Sequence, residues 1–84
     1  MNKEVANIVF HMTKRKQIKE IEVPLFITAN DLVVALNEAY ELKIDISDVK
    51  KCYLKAEKPI AFLKGNKTLA EFGIRNGSVI YFTE

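Results

Sequence analysis

Lys67-Thr68-Leu69-Ala70-Glu71-Phe72-Gly73-Ile74, continuing as Arg75-Asn76-Gly77-Ser78-Val79-Ile80, is the stretch on which the fold turns. Thr68 has the side chain of a helix cap, residues 69–72 are long enough for a single helical turn, and Gly73 closes it. Leu69, Phe72 and Ile74 are spaced to fold inward over the bottom of a core. Asn76-Gly77 is a tight turn in which glycine takes positive φ at little cost. It returns the chain into a last strand, residues 78–83.

Working back from that stretch, residues 51–57 read as a strand with Cys52, Leu54 and Ala56 on one face and Tyr53 and Lys55 on the other. Pro59 ends it, residues 60–63 form a short further strand, and Lys64-Gly65-Asn66-Lys67 is a turn. Earlier still, Thr28 or Asn30 caps a helix with Asp31 in its first turn, where a carboxylate suits the helix dipole. Leu32, Ala35, Leu36 and Ala39 follow the spacing of one buried helix face. The linker at 44–49 is expected to plug the end of the core with Ile44, Ile46 and Val49. At the start, residues 5–12 alternate as a half-buried strand, with Ala6, Ile8, Phe10 and Met12 on one face. A polar, basic turn at 13–17 leads to a second strand at 18–23, which Pro24 ends or places at an edge.

The order is β-β-α-β-(β)-short helix-β in 84 residues, with no internal repeat and no dividing linker. That predicts one α+β domain over residues 1–84: a β-grasp, in which a mixed sheet of four to five strands packs on one helix. A domain of this size buries only about 60–65% of the surface its unfolded chain exposes, leaving little interior room for a cofactor. Hydrophobic residues at 49% and charged residues at 29% are a globular composition. One cysteine requires no oxidising compartment, and neither a signal peptide nor an apolar run long enough to span a membrane is visible. The expected location is the cytoplasm.

The stretch Thr68-Leu69-Ala70-Glu71-Phe72-Gly73-Ile74 resembles the segment of ubiquitin-like proteins that precedes their last strand. Within that superfamily the chain looks most like the bacterial YukD/EsaB family, small ubiquitin-like proteins that accompany type VII secretion systems of Gram-positive bacteria. The features carried are the total length, Glu22-Val23-Pro24, the helix ending in Glu41-Leu42-Lys43-Ile44-Asp45-Ile46, and Gly73-Ile74-Arg75-Asn76-Gly77-Ser78. The resemblance implies a non-catalytic accessory whose partner is a protein, a cytoplasmic domain of the membrane-embedded secretion machinery. Conjugating ubiquitins and sulfur carriers end in a flexible Gly-Gly tail, whereas this sequence ends Phe82-Thr83-Glu84. Covalent conjugation or sulfur transfer is therefore not expected. Another β-grasp adaptor is the remaining alternative.

The chemistry-bearing residues point away from catalysis. His11 is the sole histidine and Cys52 the sole cysteine, too few for a zinc site and without a positioned partner for acid–base or nucleophilic work. The three glycines, Gly65, Gly73 and Gly77, all sit at turns and form no phosphate-binding loop. No enzyme activity, metal or cofactor is expected. The densest basic run, Lys14-Arg15-Lys16 followed by Lys19, lacks interleaved aromatics, and the net charge is only +2, so nucleic acid is not the expected partner. What remains is surface. In a β-grasp the first and last strands are central neighbours and the third strand flanks the last. The residues expected on the sheet face away from the helix, and hence expected to bind protein, are Val9, His11, Tyr53, Lys55, Ile80 and Phe82.

Overall fold

The computed structural model describes residues 4–83. Glu84, quoted above with the terminal residues, lies outside the described residues. Strands β1 (Val5–Met12) and β2 (Gln17–Pro24) form an antiparallel hairpin, followed by helix α1 (Ala29–Tyr40). Strands β3 (Leu54–Glu57) and β4 (Ala61–Leu63), the one-turn helix α2 (Leu69–Phe72) and strand β5 (Val79–Phe82) complete the chain. The sheet has five strands in the order β2-β1-β5-β3-β4. Only the central β1–β5 pair is parallel; the other pairs are antiparallel. This is the α+β arrangement expected from the order of elements, with β1 and β5 at the centre. Pro24, which cannot donate to a ladder, ends β2 at one sheet edge.

Both helices begin with the same local device. Thr28 Oγ1 accepts from the Asp31 N–H at 3.0 Å while Asp31 Oδ2 accepts from the Thr28 N–H at 3.3 Å. Thr68 and Glu71 repeat this reciprocal box at α2. At α2 the Glu71 carboxyl is held below its ordinary pKa, chiefly because the Thr68 N–H donates to it at 2.9 Å and then because the Thr68 hydroxyl donates to it at 3.1 Å. Gly73 closes α2 in the left-handed conformation at φ +86°, as its position past a one-turn helix requires.

The core comprises Ala6, Ile8, Phe10 and Met12 from β1 against Leu32, Val33 and Leu36 from α1, with Leu54, Leu63, Leu69 and Ile80. Phe10 and Tyr40 rings pack tilted, 5.4 Å apart. The helix stripe differs from the expected one. Leu32 and Leu36 are buried, but Ala35 and Ala39 are exposed, and their places are taken by Ala29 and Val33. The i, i+3, i+4, i+7 series starts one turn earlier than the leucine spacing indicates, because Thr28 rather than Asn30 is the cap and Ala29 already faces inward. The linker differs too. Ile44 packs against the core, but Ile46 and Val49 are exposed; Leu42, just past the helix, plugs the core end instead. Asn37 fixes this exit by donating to the Ile44 carbonyl at 3.2 Å and accepting its N–H at 2.8 Å.

At the opposite end, Ser78 is fully buried and hydrogen-bonded on both sides. Its Oγ accepts from the Arg75 N–H at 3.0 Å and donates to the Lys58 carbonyl at 2.7 Å, tying the turn before β5 to the loop after β3. Among the described residues no helix is long and apolar enough to cross a membrane.

Candidate functional site

The strand registers define the outer sheet face directly. His11 lies opposite Ile18 of β2 and beside Tyr81 of β5; Tyr81 lies opposite Lys55 of β3, and Lys55 opposite Phe62 of β4. Ile18, His11, Tyr81, Lys55 and Phe62 therefore form one unbroken row across all five strands. Residues directly opposite on paired strands share a face, and none of this row is buried. A second row runs Glu20, Val9, Val79, Glu57.

The six residues expected on this face divide. Val9 and His11 are half-buried on it, and Lys55 is exposed on it. Tyr53 precedes β3 and is half-buried, its ring edge-on to Phe62 at 5.8 Å. Ile80 and Phe82 are on the other side: Ile80 is 0% exposed and Phe82 8%. The cause is the parallel register, which sets Ile80 beside Phe10 and Met12 beside Phe82, all on the helix side. Val79 and Tyr81 take the outer positions instead. Tyr81 carried the signal, since a tyrosine hydroxyl needs a partner or water and so favours the wet face. Here it donates to Glu57 Oε1 at 3.0 Å. That bond, then partial desolvation and the nearby Glu57 charge, push the Tyr81 hydroxyl above its ordinary pKa.

Two apolar residues of the row were not anticipated as site residues. Ile18 is 64% exposed and Phe62 59%. Both follow the period-2 alternation of edge strands, so the parity of Leu63 as core would have placed Phe62 outside. His11 and Tyr81 rings pack tilted, 5.3 Å apart. The face is thus an apolar and aromatic surface with Lys55, Glu20, Glu22 and Glu57 among its charges.

The remaining chemical groups do not converge. His11 is on the outer face, whereas Cys52 is buried, with its thiol donating to Asn30 Oδ1 at 3.2 Å. Burial pushes the Cys52 thiol up, away from the thiolate a nucleophile needs. Among the described residues no three His, Cys, Asp or Glu side chains gather where they could hold a metal ion. In the basic run, Arg15 is committed internally: Nη1 donates to the Tyr40 carbonyl and Nη2 to that of Glu41.

The geometry has clear counterparts among solved structures. The ubiquitin-like domain of tubulin-binding cofactor B superposes with a TM-score of 0.73 over 95% of this chain and 89% of that one, at 20% identity. The C-terminal ubiquitin-like domain of mouse tubulin-specific chaperone e gives 0.70 over 96% and 87%, at 17% identity. The ubiquitin-like domain of Plasmodium falciparum Dsk2 gives 0.61 over 95% and 100%, at 18% identity. The chain has a ubiquitin-like β-grasp fold. No protein-family model and no curated protein sequence matches it.

Proposed function

We propose that residues 1–84 act as one non-catalytic, protein-binding ubiquitin-like module that works through the outer sheet face. The observation that carries this reading is the row Ile18, His11, Tyr81, Lys55, Phe62, which leaves two large apolar side chains more than half exposed on a rigid sheet. Ile18 and Phe62 stand on the two edge strands, with His11, Tyr81 and Lys55 between them, and apolar surface left facing water along one sheet face marks an interaction surface. Interface hot spots favour aromatic side chains at the centre of such a surface, and Tyr81 occupies that place here. The resemblance of Glu22-Val23-Pro24 and of the 41–46 helix exit to the YukD/EsaB family supports the finer role. In it the module is a cytoplasmic accessory of a type VII secretion system, and its partner is a cytoplasmic domain of the membrane machinery. No nucleic acid, cofactor or membrane insertion enters this role.

Calorimetric titration with purified cytoplasmic domains of such a secretion system tests the reading. Phe62→Ala and Ile18→Ala should each weaken binding about tenfold while leaving the fold intact. Unchanged affinity in both variants would remove the outer face as the interface, and no binding by the parent chain would remove the secretion context.

A further inference from the structure

A groove of about 500 Å³ opens at the end of the sheet, between the 42–51 linker and the ends of β3 and β5. Among the described residues, four lysines line it, Lys43, Lys50, Lys51 and Lys55, against one carboxylate, Asp45. That carboxylate is already engaged: Asp45 Oδ1 accepts from the Ser47 hydroxyl at 2.6 Å and from its N–H at 3.1 Å. These bonds, with Lys51 nearby, hold it below its ordinary pKa, so it stays ionised and turned to its own loop. Between the ammonium groups the wall is apolar and aromatic, formed by Ile44, Leu54, Tyr53 and Tyr81.

We infer that this groove binds an acidic peptide segment that carries at least one large apolar side chain. The inference rests on the reading of the chain as a protein-binding module, and names the chemistry of what it binds at this place. Charge complementarity selects the peptide's carboxylates, since lysine ammonium groups attract them as point charges without demanding the bidentate geometry of arginine. The apolar wall between them selects the anchor side chain. Concavity argues for a segment of chain rather than a flat bilayer. The loop beside the groove does expose Ile46 and Val49, but neither lines the groove, so the apolar wall and the lysines are not presented on one flat surface with them. Single-stranded nucleic acid stacks successive bases on a series of aromatic faces, whereas the groove presents two half-buried tyrosines, Tyr53 and Tyr81, set among the aliphatic side chains Ile44 and Leu54.

The test is an amide-resolved NMR titration of the full chain with a short synthetic peptide of Glu and Asp residues around one Phe and one Leu. A lysine-substituted version of that peptide, a thymidine oligonucleotide and phosphatidylserine-containing vesicles are run in parallel. Shifts should centre on Lys43, Ile44, Lys50, Lys51, Tyr53 and Lys55. Raising salt from about 0.1 M to about 1 M, which shortens the screening length from about 10 to about 3 Å, should weaken binding several-fold. The double charge reversal Lys50→Glu with Lys51→Glu should weaken it about tenfold, and its circular dichroism should match that of the parent chain because both side chains are exposed. Lys64→Glu, in the turn before α2 and outside the groove lining, should leave it unchanged. Absence of shifts at millimolar peptide, equal binding of the lysine peptide, or preferential binding of oligonucleotide or vesicles would overturn the inference. The two readings fail separately. Acidic-peptide binding in the groove together with Phe62→Ala and Ile18→Ala variants that bind their partner normally keeps this inference and removes the outer face. The reverse result removes the groove alone.

Discussion

Arg15, in the turn between β1 and β2, donates from Nη1 to the carbonyl oxygen of Tyr40 at 2.6 Å, so a residue of the basic run caps the end of the helix. Its second nitrogen reaches the Glu41 carbonyl at 2.7 Å. The last carbonyls of a helix have no partner within it and carry the negative end of its dipole, so a planar, doubly donating cation fits there. The last turn of α1 supplies no basic residue of its own. Arg15→Ala should therefore lower stability in urea unfolding by about 1 kcal/mol. Arg15→Lys should recover only part of the loss, because an ammonium cannot span both carbonyls. Lys14→Ala should change stability by less than about 0.5 kcal/mol. Equal losses at residues 14 and 15 would mean that general charge, not the cap, is responsible.

The inward face of α1 gives a second contrast. Leu36 is 6% exposed and packs in the core, whereas Ala35 is exposed. Leu36→Ala should cost about 2–5 kcal/mol through lost burial and the cavity left behind. Ala35→Gln, which adds a good helix former to the wet side, should stay within about 0.5 kcal/mol. A large loss at Ala35 would put the stripe where the leucine spacing alone had it.

The contrast shows where the sequence was legible. Caps, turns and the alternation of β1 were readable because each depends on local chemistry: Thr68 three residues before Glu71, glycine at a turn, polar residues between apolar ones. The parity of β5 was not, because Val79, Ile80, Tyr81 and Phe82 are apolar on both faces and the local pattern is silent. Only the pairing of Phe10 with Ile80, a contact between residues far apart in the chain, decides it. Ile80 and Phe82 were misplaced for that reason, while Val9, His11 and Lys55, on strands with clear alternation, fell where expected. The role of Arg15 was hidden likewise, since nothing near it in the sequence marks the helix end it meets.

Gly77 stands at φ +90° in the turn into β5, with its N–H bonded to the Asn7 carbonyl at 2.9 Å. A Cβ built there meets no atom within 4 Å. The cost of Gly77→Ala is therefore backbone strain alone and not a clash, about 1 kcal/mol. Thermal unfolding should show a modest fall in Tm with β1 and β5 still paired. No change in Tm would mean that the turn relaxes to negative φ on substitution.

The bond from Tyr81 to Glu57 predicts a pH dependence. The neutral hydroxyl is favoured in the folded state, so its pKa is raised above the ordinary 10.0. The stabilising contribution is fully present below the unfolded-state pKa and is lost as pH rises through the folded one. In an ultraviolet titration of tyrosinate, Tyr81 should ionise above the ordinary range, and Glu57→Gln should bring it down. A Tyr81 that titrates normally with Glu57 intact would show that the bond does not persist in solution.

Tyr81 and Phe82 are adjacent in one strand yet face opposite ways, and substituting each should separate folding from binding. Phe82 is 8% exposed and lies beside Met12 in the core, so Phe82→Ala should cost about 3 kcal/mol or more. That is a large share of a typical total stability of about 5–15 kcal/mol. Any loss of partner binding in that variant should follow from unfolding and return when the chain is refolded by cooling or a stabilising osmolyte. Tyr81 is half-buried on the outer face, between His11 and Lys55. Tyr81→Thr replaces one good strand former with another, β-branched one, and should cost no more than about 1 kcal/mol. The ring removed is the aromatic centre of the exposed row, so partner affinity should fall by about 2 kcal/mol, some thirtyfold, in a fully folded protein. A folded Tyr81→Thr chain with undiminished affinity would leave the outer row without its aromatic anchor and move the interface away from the centre of the sheet.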